Sequence, residues 1–285
     1  MTEILKGKPA ADEMMTQVRE RIQRLQDRGI LPTAAIVRFG ENPDDIAYER
    51  SIIRKAEEVG ARVRSCVLPP QIGQNEAEEL LEVLSADSDI HGILILKPLP
   101  ESIDAKRFLS KLVPEKDIDG ASDASMAALY SGDRDCFLPC TAKACMELLR
   151  FYQIDPRGKR AVVLGRSPVI GRPAALLLLG ADATVTVCHS KTEDVPAICR
   201  EADILVACLG SAEKVERSYM NENQVILDVG INFNSDGKMV GDVCYEDAVG
   251  YVRAVTPVPG GVGAVTTAVL LTQLAAASER AGQRS

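Results

Sequence analysis

The stretch Gly165-Arg166-Ser167-Pro168-Val169-Ile170-Gly171-Arg172-Pro173 has the residue types that point most directly to chemistry. It follows an apolar run at 161–164 and opens a helical stretch. A glycine turn in that context lets backbone approach a pyrophosphate, and the helix start offers unpaired N–H groups and a positive dipole end. Ser167 stands where the common GxGxxG pattern has its second glycine, so a plain strand-to-helix turn is the competing reading. The next strand bears on the cofactor. An NAD site places Asp or Glu at its end to hold the ribose hydroxyls. Here Val187 is followed by Cys188-His189-Ser190-Lys191, with no acid before Glu193. A hydroxyl beside two basic groups suits a 2′-phosphate, and Arg166 is near enough in such folds to contribute. NADP is therefore the expected cofactor. The competing reading of His189 and Lys191 is a solvated loop.

Three further segments concentrate chemistry or backbone control. Lys116-Asp117-Ile118-Asp119-Gly120 sits in a long aperiodic stretch, Pro139-Cys140-Thr141 precedes a helix, and residues 256–263 read TPVPGGVG. The last alternates residues that fix the backbone with residues that free it, as a ligand-contacting loop requires. A rigid crossover between domains would look the same. The eight cysteines include no CxxC pair, and neither His91 nor His189 lies near the tightest group, Cys136, Cys140 and Cys145. No metal site is expected, and the cysteines read as reduced small hydrophobes.

The elements that must carry these residues alternate helix and strand. Strands are expected at 34–39, 62–68, 92–96, 161–164, 184–187, 204–207 and 225–229. Helices are expected at about 15–25, 43–59, 76–84, 142–152, 173–179, 195–201 and 267–280, with 113–138 a long connection and 281–285 frayed. Asn42-Pro43 is a helix cap followed by proline at the first helical position. The rhythm predicts an α/β protein of two domains with largely parallel sheets, the second doubly wound. The chain has 285 residues, 46% of them hydrophobic, enough for two ordinary cores. A net charge of −8 and 4% aromatics argue against nucleic-acid binding, which needs a basic face. No apolar run approaches the roughly 20 residues of a membrane span, and the first residues lack a signal-peptide pattern, so a cytoplasmic protein is expected.

Taken together, these segments resemble the bifunctional methylenetetrahydrofolate dehydrogenase/methenyltetrahydrofolate cyclohydrolase family over nearly the whole length. The resemblance is carried by Tyr48 in its helix, Gly92-Ile93-Leu94 before Pro98-Leu99-Pro100, the KDIDG segment, Pro139-Cys140-Thr141 and the GRSPVIGRP turn. It continues through Asp228-Val229-Gly230-Ile231-Asn232, Gly241-Asp242-Val243 and the TPVPGGVG loop. It implies an N-terminal three-layer α/β domain (1–141, completed by a C-terminal helix at 268–285) and a Rossmann-like NADP-binding domain (142–267), with the active site in the cleft between them, in a homodimer. It implies hydride transfer from methylenetetrahydrofolate to NADP, then hydrolysis of the methenyl product. By the same resemblance Tyr48 stacks on the folate and Asp119 hydrogen-bonds the pterin. Leu96, Pro259, Gly260 and Gly261 line the folate pocket. Gly165, Arg166, Ser167, Gly171, Ser190 and Ile231 hold NADP.

Two positions depart from the family pattern. The family carries a lysine four residues after the tyrosine, where this chain has Ile52, and a glutamine where it has Leu96. The two losses fit each other, because a glutamine facing isoleucine would be buried without a partner, at a cost of roughly 1–3 kcal/mol. Hydrolysis needs acid/base help, typically worth about 10²–10⁴-fold, whereas hydride transfer rests more on alignment. The expectation is a dehydrogenase whose cyclohydrolase step is weak or absent. A folate- and NADP-binding protein without turnover is the alternative. Lys97 is a candidate catalytic amine in place of the missing one, provided the strand breaks before Pro98. Smaller departures are Ala264-Val265 in place of Pro-Met, and Ala142 in place of a proline.

Overall fold

The computed structural model describes residues 1–133 and 135–284, which divide into two compact units. The first elements in chain order are β1 (Glu3–Ile4), α1 (Gly7–Gln26), β2 (Thr33–Phe39), α2 (Pro43–Glu58), β3 (Arg62–Leu68), α3 (Gln74–Ala86), β4 (Gly92–Ile95), α4 (Ala105–Leu109) and α5 (Asp123–Ser131). Strands β3, β2 and β4 form a parallel sheet in that order, with β2 central. Every residue of β2 is buried, as a parallel strand covered on both faces must be. Ala35, Val37 and Phe39 point to one face, where they join Ile93, Ile95, Leu81, Leu84 and Phe108 in one cluster. Ala34, Ile36 and Leu94 alternate to the other face and are as deeply buried. This unit comprises Glu13–Cys140 and Thr267–Ser285.

The remaining elements are α6 (Cys140–Phe151), β5 (Arg160–Leu164), α7 (Gly171–Gly180), β6 (Thr184–Cys188), α8 (Val195–Arg200), β7 (Ile204–Ala207), β8 (Val225–Asp228), β9 (Asn232–Phe233), β10 (Met239–Val240), α9 (Tyr245–Ala248), β11 (Ala254–Val255) and α10 (Val262–Arg284). The second unit has a six-stranded sheet of order β1-β11-β8-β7-β5-β6, with every pairing parallel. Its core includes Val162, Leu164, Leu205, Ala207, Ile226 and Val255. The chain leaves β5 for β6 on one side and returns to β7 on the other, so the topological switch point lies at the carboxyl ends of β5 and β7. That is where open α/β sheets bind ligands.

The structure corrects several expectations. The first twelve residues belong with Thr141–Thr266 and not with the N-terminal unit. The reason is β1, which pairs with β11 as an edge strand and is pinned by Thr2, whose hydroxyl donates to Val252 O (2.7 Å) and accepts Gly250 N–H (2.9 Å). The connection at 113–138 is not structureless. It holds a 3₁₀ turn at Pro114–Lys116 and the helix α5, capped by Ser122 Oγ on Ser125 N–H and ended by Gly132 in the left-handed region. Its Ser, Asp and Gly residues are caps and turns. The helix at the C-terminus does not stop at 280 but runs to Arg284, with Gly282 so close to Ile30 that a Cβ would lie 2.3 Å from it. Ser285 lies outside the described residues. One segment, Val262–Gln283, is long and apolar enough to cross a membrane by length and composition (mean hydropathy 1.3), but 67% of that window is buried within the protein. It has the character of a core helix.

Candidate functional site

In the N-terminal unit, α2 presents Tyr48 and Ile52 one turn apart. Asn42 starts the helix by accepting Asp44 N–H (2.9 Å), with Pro43 at its first position. A buried ion pair anchors the helix to the sheet: Glu49 Oε2 accepts Arg38 Nε–H from β2 at 2.8 Å, and Arg38 also donates to Gly40 O. Tyr48 is 39% exposed at the rim of the buried face, yet its hydroxyl end is enclosed and shares a hydrogen bond with the Thr267 side chain. Burial first, and the negative charge of Asp119 second, push the phenol well above its ordinary value, so it stays protonated. Ile52 is 1% exposed and Leu96 is 6% exposed. Both side chains belong to the hydrophobic interior.

Asp117 and Asp119 flank a turn just after the 3₁₀ segment. Asp117 is fully buried and accepts Ala121 N–H (2.9 Å), Ser122 N–H (2.9 Å), Ser122 Oγ–H (2.6 Å) and Ser125 Oγ–H (2.5 Å). Gly120 has φ 60° and lies so close to Pro139 N that a Cβ would sit at 2.5 Å, which only glycine allows. Gln273 of α10 ties the two sides together. Its Nε2 donates to Ile118 O (2.7 Å) and Leu138 O (3.0 Å), and its Oε1 accepts Leu138 N–H (2.8 Å). Asp119 is thereby presented beside Cys140, whose thiol and amide hydrogen-bond it. Burial raises the Asp119 carboxyl to about 6, with the Asp117 charge adding to the rise and the Cys140 hydrogen bonds and the Lys97 charge opposing it. The Cys140 thiol, fully buried, is pushed well above its ordinary value and stays neutral.

Lys97 is exposed, and its charge is felt at Asp119. Strand β4 ends at Ile95, before Pro98, although Leu96 N–H still donates to Val37 O at 2.9 Å. The strict alternation that would have turned Lys97 away from the face of Leu96 therefore does not bind it. Thr267 and Gln273 escaped the sequence reading because their helix is Ala- and Leu-rich. The available signal was an amide interrupting an apolar helical stripe.

The other unit gathers the nucleotide candidates. Gly165 ends β5 with φ 120°, and a Cβ there would meet Cys208 O at 2.4 Å. Gly171 opens α7, where a Cβ would meet Gly165 O at 2.3 Å. Helix start and glycine turn are thus in direct backbone contact, an approach that a side chain at either glycine would prevent. Ser167 Oγ accepts Ile170 N–H (3.2 Å) and Gly171 N–H (3.4 Å), and Arg172 Nε donates to Arg166 O (3.2 Å). Gly165 N–H donates to Cys188 O (2.9 Å), which brings the end of β6 alongside the turn. Beyond it His189 N–H donates to Thr192 Oγ1 (3.0 Å), and Lys191 N–H donates to His189 Nδ1 (3.2 Å), which leaves Ser190 and Lys191 exposed. The groups at this turn (hydroxyls, cations and a glycine-lined helix start) fit a phosphorylated dinucleotide. Ile231, 64% exposed, follows β8.

Pro259, Gly260 and Gly261 lie in this same unit. Gly260 O accepts Gly7 N–H (2.8 Å), and a Cβ on Gly261 would meet Pro257 O at 2.5 Å. The loop is therefore tightly self-packed. Among the described residues, no group of three His, Cys, Asp or Glu could hold a metal ion.

Residues 5–119 match the tetrahydrofolate dehydrogenase/cyclohydrolase catalytic domain, and residues 139–282 match the NAD(P)-binding domain of the same family. A bifunctional protein FolD of Moorella thermoacetica is 45% identical over 278 residues, 98% of this chain and 99% of the relative. One from Carboxydothermus hydrogenoformans is 45% identical over 272 residues, 95% of each. Among solved structures, the bifunctional FolD methylenetetrahydrofolate dehydrogenase/cyclohydrolase of Campylobacter jejuni superposes with a TM-score of 0.96 at 36% identity, covering 98% of this chain and 99% of that one. The Trypanosoma brucei enzyme, solved with NADP cofactor and inhibitor, gives 0.93 at 34% identity, covering 100% and 99%.

Proposed function

We propose that this chain, which belongs to the tetrahydrofolate dehydrogenase/cyclohydrolase family, is an NADP-dependent methylenetetrahydrofolate dehydrogenase whose cyclohydrolase step is weak. The observation that carries the reading is the pair Ile52 and Leu96, both inside the hydrophobic core, at positions where the family resemblance places a lysine and a glutamine. A buried aliphatic chain can neither move a proton nor orient a water.

The residues suited to binding and alignment remain. Asp119 is a half-buried carboxylate acceptor, a type that matches the N–H donors on the pyrimidine edge of a pterin. Tyr48 offers a ring face at the rim, with its hydroxyl anchored on Thr267. Gly165, Ser167 and Gly171 would hold the NADP pyrophosphate, Arg166 and Ser190 the 2′-phosphate, and Ile231 would contact the bound dinucleotide. When bound, the nicotinamide supplies the hydride acceptor. This chain's part in hydride transfer is then orientation, which can supply several kcal/mol of barrier reduction without an acid or base. Hydrolysis of the methenyl cation lacks that shortcut, because a water must be deprotonated and a ring nitrogen protonated.

Incubation with methylenetetrahydrofolate and NADP tests the reading. NADPH should form together with the methenyl chromophore, which should decay no faster than in buffer alone. Enzyme-driven decay would contradict the weak hydrolysis, and ligand binding without NADPH would favour a binding protein, the reading the two apolar positions also allow. Homodimer formation is part of the proposal. Among the described residues the edge strand β3 has no partner on its outer side, and Val67 is 49% exposed, a row that invites pairing with a second copy. Sedimentation of the wild type against Val67→Lys should show a dimer that weakens.

A further inference from the structure

Two buried carboxylates beyond the glycine turn are not accounted for by ligand contacts. Asp228 ends β8 and is 3% exposed, and Asp242 follows β10 and is fully buried. Asp228 holds Asp242 by its backbone. Asp228 Oδ1 accepts Asp242 N–H and Gly230 N–H, both at 3.0 Å, and Oδ2 accepts Val243 N–H at 3.0 Å. The glycines permit this approach: a Cβ on Gly241 would lie 1.8 Å from Asp228 Oδ2, and one on Gly230 would lie 2.4 Å from Asp242 Cγ.

Asp242 faces outward from this lock onto the loops at the ligand end of the sheet. Its Oδ2 accepts Leu209 N–H (2.5 Å) and Gly210 N–H (3.1 Å), and its Oδ1 accepts Ser211 N–H (2.8 Å) and Asn232 Nδ2–H (3.0 Å). One carboxylate thus gathers three consecutive amides after β7 and one side chain after β8. Cys208, just before those amides, carries the carbonyl on which Gly165 packs.

The sheet order divides this end of the unit. Ser190 follows β6 on one side of β5, while Leu209–Ser211 and Ile231 follow β7 and β8 on the other. A dinucleotide laid across the end of β5, with its 2′-phosphate at Ser190, must place its nicotinamide half over the loops that Asp242 holds. We propose that Asp242 is a positioning residue for the nicotinamide half of the dinucleotide, acting through the loops 209–211 and 231–232. The proposal rests on the NADP reading above.

Titration calorimetry of Asp242→Asn against two probes, NADP and adenosine 2′,5′-bisphosphate, tests it. The amide turns donors toward donors, so NADP affinity should fall about 10-fold while the bisphosphate, held on the β6 side, stays within about twofold. Equal loss of both ligands, or no loss of either, overturns the proposal. Should Asp242→Asn not fold, Asn232→Ala removes the one side-chain donor and should show the same split at about threefold; an unchanged NADP affinity there also overturns it. A wild type that binds NAD but not the bisphosphate defeats the 2′-phosphate reading alone. The Asp242→Asn ratio is then read with NAD, where an unchanged affinity again overturns the proposal.

Discussion

Asp117 and Asp119 stand two residues apart in one loop and end with opposite chemistry, and the Asp228–Asp242 pair in the other unit shows why. Asp117 is filled by amides and hydroxyls of its own loop, and Asp228 and Asp242 are filled by amides, chiefly of neighbouring loops. They spend their lone pairs on shape. Asp119 takes hydrogen bonds only from Cys140 among the contacts that shift its carboxyl, and its neighbourhood is pinned mainly by Gln273. A carboxylate saturated by surrounding amides and hydroxyls is structural. One with fewer protein donors keeps capacity for a ligand.

Four substitutions or conditions can break or sharpen that contrast. Asp117→Ala strands two amides and two hydroxyls, at roughly 1–3 kcal/mol for each group left buried without a partner. A loss of about 4 kcal/mol is expected in denaturant unfolding, with NADP affinity in the other unit retained in whatever fraction folds. Asp119→Ala strands fewer donors, so it should cost clearly less stability than Asp117→Ala while lowering kcat/KM for methylenetetrahydrofolate about 100-fold, from losing charge-assisted hydrogen bonds; steady-state kinetics against thermal melts separates the two. If both variants lose stability equally, the contrast fails.

The third test is pH. Below about 6 the Asp119 carboxyl takes up a proton, so the KM for the folate should rise about tenfold between pH 7 and 5. Stability runs the other way for this group. Folding raises its pKa from 3.8 to about 6, so its contribution is fully present below about 4 and is lost as pH rises through 6. Unfolding through this carboxyl cannot mimic the loss of affinity. The smallest effect belongs to Lys97→Ala. Removing a charge that opposes the rise at Asp119 should move the acid limb of the KM profile upward and change kcat/KM at pH 7 about threefold. A much larger fall in turnover with KM intact would make Lys97 the catalytic amine, and an unmoved limb would remove it from the site.

Much of this was legible in the sequence. The apolar strands at 34–39 and 161–164 and the helix after Asn42-Pro43 declare themselves because burial and capping act over a few neighbouring residues. The two-residue strands β1 and β11 could not be read, since no periodicity fits in two residues and their pairing joins distant chain positions, Glu3 with Ala254 and Ile4 with Val255. Helix α1 begins at Gly7, eight residues before the apolar spacing read from Met15, because its first turns bury small residues (Ala10, Ala11) that give only a weak apolar stripe. The candidate ligand residues Gly165, Ser190 and Asp119 were visible as types in a motif. The distinction between Asp117 and Asp119 was not, because it depends on Ser122, Ser125, Cys140 and Gln273 arriving from three directions.

The most direct test of the account compares wild type with the Ile52→Lys, Leu96→Gln double variant in one assay that follows NADPH and the methenyl chromophore together. The wild type should form both at equal rates and leave the methenyl product standing, while the double variant should clear it about 100-fold faster than the parent. A wild type that hydrolyses the methenyl product as fast as it forms, or a folded double variant with no gain, would contradict the account.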